Sequence, residues 1–217
     1  MFPRLTPITR NIIILNGIFY LASNFVAYPK LYEIFSVYYI GSPFFRVWQI
    51  ITHMFMHAPL GQGIGLTHIL FNMLTLASFG PVLEQVLGEK KYIMLYFLSG
   101  IGAYFLNCGW NYFEIMQGAN VEEIYSIPMM GASGAIFGVV AAFSTMFPDS
   151  KLFFMFIPFP IKAKYLFPGI IVISLYLGFS GSMGGIAHFA HIGGAVVGFL
   201  LAKSWKDIIE SINSVIE

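Results

Sequence analysis

A chain of 217 residues with 58% hydrophobic and 18% aromatic side chains carries only 10% charged residues. Soluble domains carry about 25%, so this composition excludes an ordinary water-soluble fold and points to a multi-pass membrane protein. A net charge of +1, with basic residues scattered singly or in pairs, gives no footprint for nucleic acid, and a single cysteine, Cys108, excludes a disulfide-stapled fold.

From the N-terminus, a short basic segment with Arg4 and Arg10 precedes apolar Ile12 to Ala27. No small-x-small cleavage site leads into a soluble region, so this is expected to be an uncleaved first helix rather than a signal peptide. Apolar runs of roughly 17–25 residues predict six spans, at 11–28, 63–86, 92–111, 129–147, 165–180 and 185–204. The expected architecture is an all-α membrane protein: one six-helix domain over 11–204, between cytoplasmic segments 1–10 and 205–217. Residues 29–62, rich in Tyr, Phe, Trp and Met and poor in charge, suit a loop lying at the membrane interface. Pro158, Pro160 and Pro168 break 153–168 into an interfacial lead-in to the fifth span. Cys108, inside the third span, reads as a packing residue.

Lysine and arginine set the orientation. With the N-terminus inside, Arg4, Arg10, Lys90, Lys91, Lys151, Lys162, Lys164, Lys203 and Lys206 lie on the inner side, against Lys30 and Arg46 outside. Both termini are then cytoplasmic, with a cell membrane, by expectation a bacterial inner membrane, as the location. His53, His57, His68, His188 and His191 all fall in outer halves or outer loops. At 1.5 Å rise per residue, His68, Ser133 and His191 come within about two turns of an outer end, so three distant segments bring polar groups to one depth.

Gly131-Ala132-Ser133-Gly134 and Ala190-His191-Ile192-Gly193-Gly194 place a nucleophile and a base in apolar sequence. Taken alone, Gly134 with Gly138 and Gly194 with Gly198 equally suit small-residue packing faces, and Ser133 can bond its own helix. Together, such faces would let the two helices approach until Ser133 Oγ is within about 2.6–3.2 Å of the His191 ring. His68 and Asn72, four residues apart, share a helix face. They are either interhelical hydrogen-bonding residues or, with the Ser133 backbone N–H, donors to the oxyanion of a tetrahedral intermediate.

Trp48 with His57, His68-x-x-x-Asn72, Gly-x-Ser133-Gly and Ala190-His191-x-x-Gly194-x-x-x-Gly198 together resemble the rhomboid family of intramembrane serine proteases, over residues 45–202. The resemblance implies a Ser133–His191 catalytic dyad, an oxyanion site with His68 and Asn72, and Phe137 as the aromatic residue against which His191 packs. Gly131, Gly134, Gly194 and Gly198 become active-site packing residues, and Glu84 a structural acid that anchors helix and loop. Many bacterial members have Trp-Arg where this chain has Trp48-Gln49, with Arg46 as the nearest arginine.

His188 with His191 and His53 with His57 have spacings that could ligate a metal or haem. No HExxH is present and no acidic residue lies near them, so no metal and no cofactor are expected. His57 and His188 are instead expected as hydrogen-bonding neighbours at a water-filled mouth, and Gly178 to Gly185 as a flexible cap. The implied activity is endopeptidase cleavage in or beside transmembrane segments of other proteins. The expected partners are transmembrane substrates and the lipid bilayer. The alternative is a non-catalytic relative that binds membrane proteins.

Overall fold

The computed structural model describes residues 4–61, 65–153, 159–180 and 188–216, with side chains to 208. The fold is all-α in character and largely helical. In chain order come α1 (Pro7–Phe25), α2 (Lys30–Phe35), α3 (Gln49–Thr52), α4 (Gly65–Met116), α5 (Val121–Ser126) and α6 (Ser133–Met146). A two-stranded antiparallel ribbon follows, β1 (Lys151–Leu152) with β2 (Ile161–Lys162), then α7 (Leu166–Ser180) and α8 (His188–Ile216). The helices α4, α6 and α8 pack as a central trio, with α1 against α4 and α7 against α8.

Among the described residues two helices are long and apolar enough to cross a membrane by length and composition, Gly65–Met116 and Ala163–Ser180, where six spans are expected from the sequence. The first is two arms. Gly88 has φ 76° and ψ 160°, which interrupts the helix between the second and third predicted spans; a Cβ there would meet nothing, so backbone conformation alone calls for glycine. The predicted fourth span, 129–147, is shortened at its start. Met129 is extended and exchanges backbone hydrogen bonds with Val37 (2.9 and 2.7 Å), and α6 begins only at Ser133. The proline-rich lead-in to α7 contains the second strand of the small ribbon, which its sequence did not announce. Helix α8 continues beyond 204 to Ile216.

Glu84 on α4 is buried and caps a helix far away in sequence. Its carboxylate accepts from the Ile8 (2.9 Å) and Thr9 (2.8 Å) backbone N–H groups and from the Thr6 and Thr9 hydroxyls. These amides belong to the first turn of α1, whose own Thr6 makes no side-chain cap and whose first residue, Pro7, needs no partner. A negative charge there also complements the helix dipole. Glu84→Ala strips four donors of their acceptor, and thermal unfolding in detergent should register a loss of about 1–3 kcal/mol with activity per folded molecule retained.

The main core cluster includes Leu76, Leu83, Tyr92, Tyr96, Val139 and Ala202. Cys108 packs beside it with Val37 and Tyr104, the packing role its apolar run predicts.

Candidate active site

Ser133 is the first residue of α6, and the chain reaches it through a backbone only glycine suits. Gly131 has φ 129°, and its N–H donates to the His53 carbonyl at 2.9 Å. This bond and the Val37–Met129 pair tie the approach to Ser133 onto the 29–62 segment. Being first in the helix, the Ser133 N–H has no intrahelical acceptor and lies at the positive end of the helix dipole.

The glycines of α6 and α8 interlock. A Cβ on Gly194 would overlap the Gly134 carbonyl oxygen, and one on Gly198 the Gly138 carbonyl oxygen. A Cβ on Gly138 would meet Ser99 Oγ and, at 2.8 Å, the Gly194 carbonyl oxygen. At this separation His191 Nε2 lies 3.0 Å from Ser133 Oγ. The Phe137 ring, one turn along α6, sits 4.3 Å from the His191 ring centroid to centroid, and thus sets the imidazole plane from one side.

His68 comes to the same place. Its Cε1 and Nε2 would each lie 3.1 Å from a Cβ on Gly131, and that Cβ would be 3.5 Å from Ser133 Oγ. Glycine at 131 therefore keeps open the space between the His68 ring and Ser133. His68 Nδ1 accepts the Ala58 N–H at 3.3 Å, so the neutral ring carries its proton on Nε2, the nitrogen beside that space. Asn72 is buried and donates one amide hydrogen to the His68 carbonyl at 2.8 Å, which leaves its second amide hydrogen available.

A second layer holds His68. Asn16 Nδ2 on α1 donates to the Ile12 carbonyl (2.8 Å), which turns Oδ1 toward His57 Nε2, also 2.8 Å away. His57 therefore carries its proton on Nε2, and its ring meets that of His68 edge to face at 5.2 Å. Burial, then the neighbouring His68, pushes the His57 imidazole down to about 3. Burial likewise holds His53, whose Nδ1 is 2.9 Å from the Gln49 carbonyl oxygen, at about 4. Both rings are neutral near pH 7.

His57 corrects an expectation: it is fully buried against α1 rather than at a wet mouth. His188 is buried as well, its ring 6.1 Å from that of His191, and its Nε2 has no partner among the described residues. No cluster of three metal-ligating side chains occurs among the described residues. Most of the predicted cap, residues 181–185, lies outside the described residues; Gly178 belongs to α7, where a Cβ would meet the Phe189 ring at 2.9 Å.

Several contributors carried no sequence signal read as functional. Gly102 and Gly193 bring the second arm of α4 against α8, a Cβ on Gly193 meeting the Gly102 carbonyl oxygen at 2.5 Å. The small-residue run Ser99-Gly100-Ile101-Gly102-Ala103 could have disclosed this contact. Gln49, where the arginine of the pattern is missing, is buried. Its Oε1 accepts the Arg46 N–H (2.9 Å) and its Nε2 donates to the Ile34 carbonyl (3.3 Å), so the amide braces this loop.

The Rhomboid domain model matches residues 45–205. The chain belongs to the rhomboid family. Its relatives in this family include the rhomboid protease AarA of Providencia stuartii, 34% identical over 145 residues, covering 64% of this chain and 51% of AarA. The rhomboid protease GluP of Bacillus subtilis (strain 168) is 29% identical over 159 residues, covering 72% of this chain and 26% of GluP. YdcA of the same bacterium is 27% identical over 191 residues, covering 83% of this chain and 87% of YdcA. The chain thus spans about half of AarA and a quarter of GluP. The matched rhomboid region contains Ser133, His191, His68, Asn72 and the glycines between which α6 and α8 meet.

Proposed function

We propose that this rhomboid protein is an intramembrane serine endopeptidase, with Ser133 as nucleophile and His191 as general base and acid. The observation that carries the reading is the 3.0 Å separation of His191 Nε2 and Ser133 Oγ, between two helices locked by glycine contacts. Relatives named as rhomboid proteases support it.

In this mechanism the Ser133 hydroxyl donates to His191 Nε2. Oγ attacks the scissile carbonyl carbon as its proton passes to the imidazole. The tetrahedral oxyanion is met by the His68 Nε2–H, the free Asn72 amide hydrogen and the Ser133 N–H at the helix N-terminus. Collapse breaks the C–N bond, the imidazolium returns its proton to the leaving amine, and an acyl ester remains on Ser133. Water, deprotonated by His191, then attacks the ester and restores the serine. Two neutral histidines behind the site add no charge that would compete with the imidazolium.

The membrane reading goes with this chemistry. The proposed topology has six spans: α1, the two arms of α4, α6 with the extended residues before it, α7 and α8. Both termini are placed in the cytoplasm, in a cell membrane. At 14 residues α6 rises about 21 Å, short of the roughly 30 Å hydrocarbon core, so Ser133 would sit below the outer surface of the bilayer. The substrates proposed are transmembrane proteins, cleaved where their helix is weak enough to unwind, because helical backbone is closed to attack.

A fluorophosphonate probe tests the nucleophile. Wild type should be labelled and Ser133→Ala should not; labelling retained in Ser133→Ala, or cleavage of a transmembrane substrate at an undiminished rate, would reject the mechanism. For the oxyanion donors, Asn72→Ala should lower kcat by about 10²–10³-fold with KM little changed. A structural role predicts instead a lower melting temperature with activity per folded molecule preserved, and both are measurable on one preparation.

A further inference from the structure

Glu33, Tyr38, Phe44, Arg46, Trp48 and Ser126 line a cavity of about 550 Å³ between the 29–62 segment and α5, within the roughly 300–1,000 Å³ of small-ligand clefts. None of these residues belongs to the Ser133 site. Arg46 and Glu33 put opposite charges on one cavity, yet the two do not pair. Arg46 is held away by its own loop, Nη1 donating to the Pro43 (2.8 Å) and Phe45 (2.7 Å) carbonyls. Its Nε and Nη2 hydrogens, and the Glu33 carboxylate, have no hydrogen-bond partner among the described residues. A cation and an anion held apart over one small cavity are complementary to a ligand that carries both charges a short distance apart.

The remaining walls fit such a ligand. Tyr38 and Phe44 have ring centroids 5.5 Å apart, and the Trp48 ring is pinned by Nε1–H donating to the Ile34 carbonyl at 3.1 Å. Aromatic faces attract an ammonium group. Around the cavity Ile40, Phe44, Val47 and Trp48 are exposed by 50%, 54%, 72% and 49%, an apolar and aromatic surface of the kind that settles at lipid headgroup level.

We propose that this cavity binds the headgroup of a zwitterionic glycerophospholipid, its phosphate on Arg46 and its ammonium on Glu33 beside the rings. The acyl chains would lie along the apolar surface. The inference rests on the proposed placement of 29–62 at the membrane interface and is independent of the Ser133 chemistry.

Purified protein in detergent, given equal amounts of phosphatidylethanolamine and phosphatidylglycerol, tests it by counting retained lipids with native mass spectrometry. The phosphate is common to both lipids and the ammonium to one, so phosphatidylethanolamine should be retained about five- to tenfold over phosphatidylglycerol, the effect of one charge-assisted contact. Arg46→Gln should reduce retention of both, and Glu33→Gln should abolish the preference. Both side chains are exposed, so neither change disturbs the core. Equal retention of the two lipids by wild type, or a preference that survives both substitutions, would overturn the proposal. Displacement of the lipid by free phosphoethanolamine at equal concentration would assign the cavity to a soluble zwitterion and overturn it as well. Total lipid retained reports membrane embedding and probe labelling reports Ser133, so a failure of this site is distinguishable from a failure of the proposed function.

Discussion

Replacing His191 with alanine is expected to lower kcat on a transmembrane substrate by about 10²–10⁴-fold, the range of general acid–base catalysis, whereas His188→Ala should cost less than about tenfold. Two imidazoles three residues apart on α8 make this a comparison within one helix. His191 Nε2 is 3.0 Å from Ser133 Oγ and its ring packs on Phe137. His188 is buried with its ring 6.1 Å from that of His191, near enough to influence it, while its own Nε2 has no partner among the described residues. Steady-state cleavage in detergent measures the ranking, and fluorophosphonate labelling of each variant measures how far the serine remains activated. A larger loss in His188→Ala than in His191→Ala would move the base one turn along the helix and reject the assignment.

Gly198→Val is expected to cost activity out of proportion to stability. The new Cβ would come within 2.1 Å of the Gly138 carbonyl oxygen, a backbone atom that cannot swing aside, so α6 and α8 must separate. Overpacking of this kind costs about 1–3 kcal/mol, which a cluster of large apolar side chains can absorb without unfolding. The reaction geometry cannot absorb it: a displacement of about 1 Å between reacting groups lowers rate about 10²-fold. Melting temperature and kcat measured on the same preparation should therefore show a modest fall in the first and a large fall in the second. A variant with wild-type values for both would mean that the helices do not bear on one another at Gly138 and Gly198.

The residues proposed for the chemistry were legible in the chain, because polar groups stand out in apolar sequence. Ser133, His191 and His68 are conspicuous in apolar runs, and glycines one turn apart in the sequence already announce close helix contact. The break in α4 falls between the second and third predicted spans, at Gly88, and has a local cause in that residue's positive φ. Glu84 could be singled out as a structural acid through the family pattern. Its partners could not, since the capped amides of Ile8 and Thr9 lie some 75 residues away.

Composition marked a chain too apolar for an ordinary soluble domain, and the motifs carried a resemblance to one family and a short set of polar residues that must find partners. The tertiary structure decided which partners they found. His57 was expected beside water and is buried on Asn16, because a helix 41 residues earlier in the chain offers a correctly turned amide oxygen. The start of α6 at Ser133, rather than four residues earlier, depends on Val37 and His53 drawing Met129 and Gly131 into backbone hydrogen bonds with the distant loop. Hydrogen bonds of this kind form between backbone groups that every residue possesses, so no side-chain pattern encodes them. Periodicity and residue type report what a segment needs; only the packed chain determines which segment, far away in sequence, supplies it.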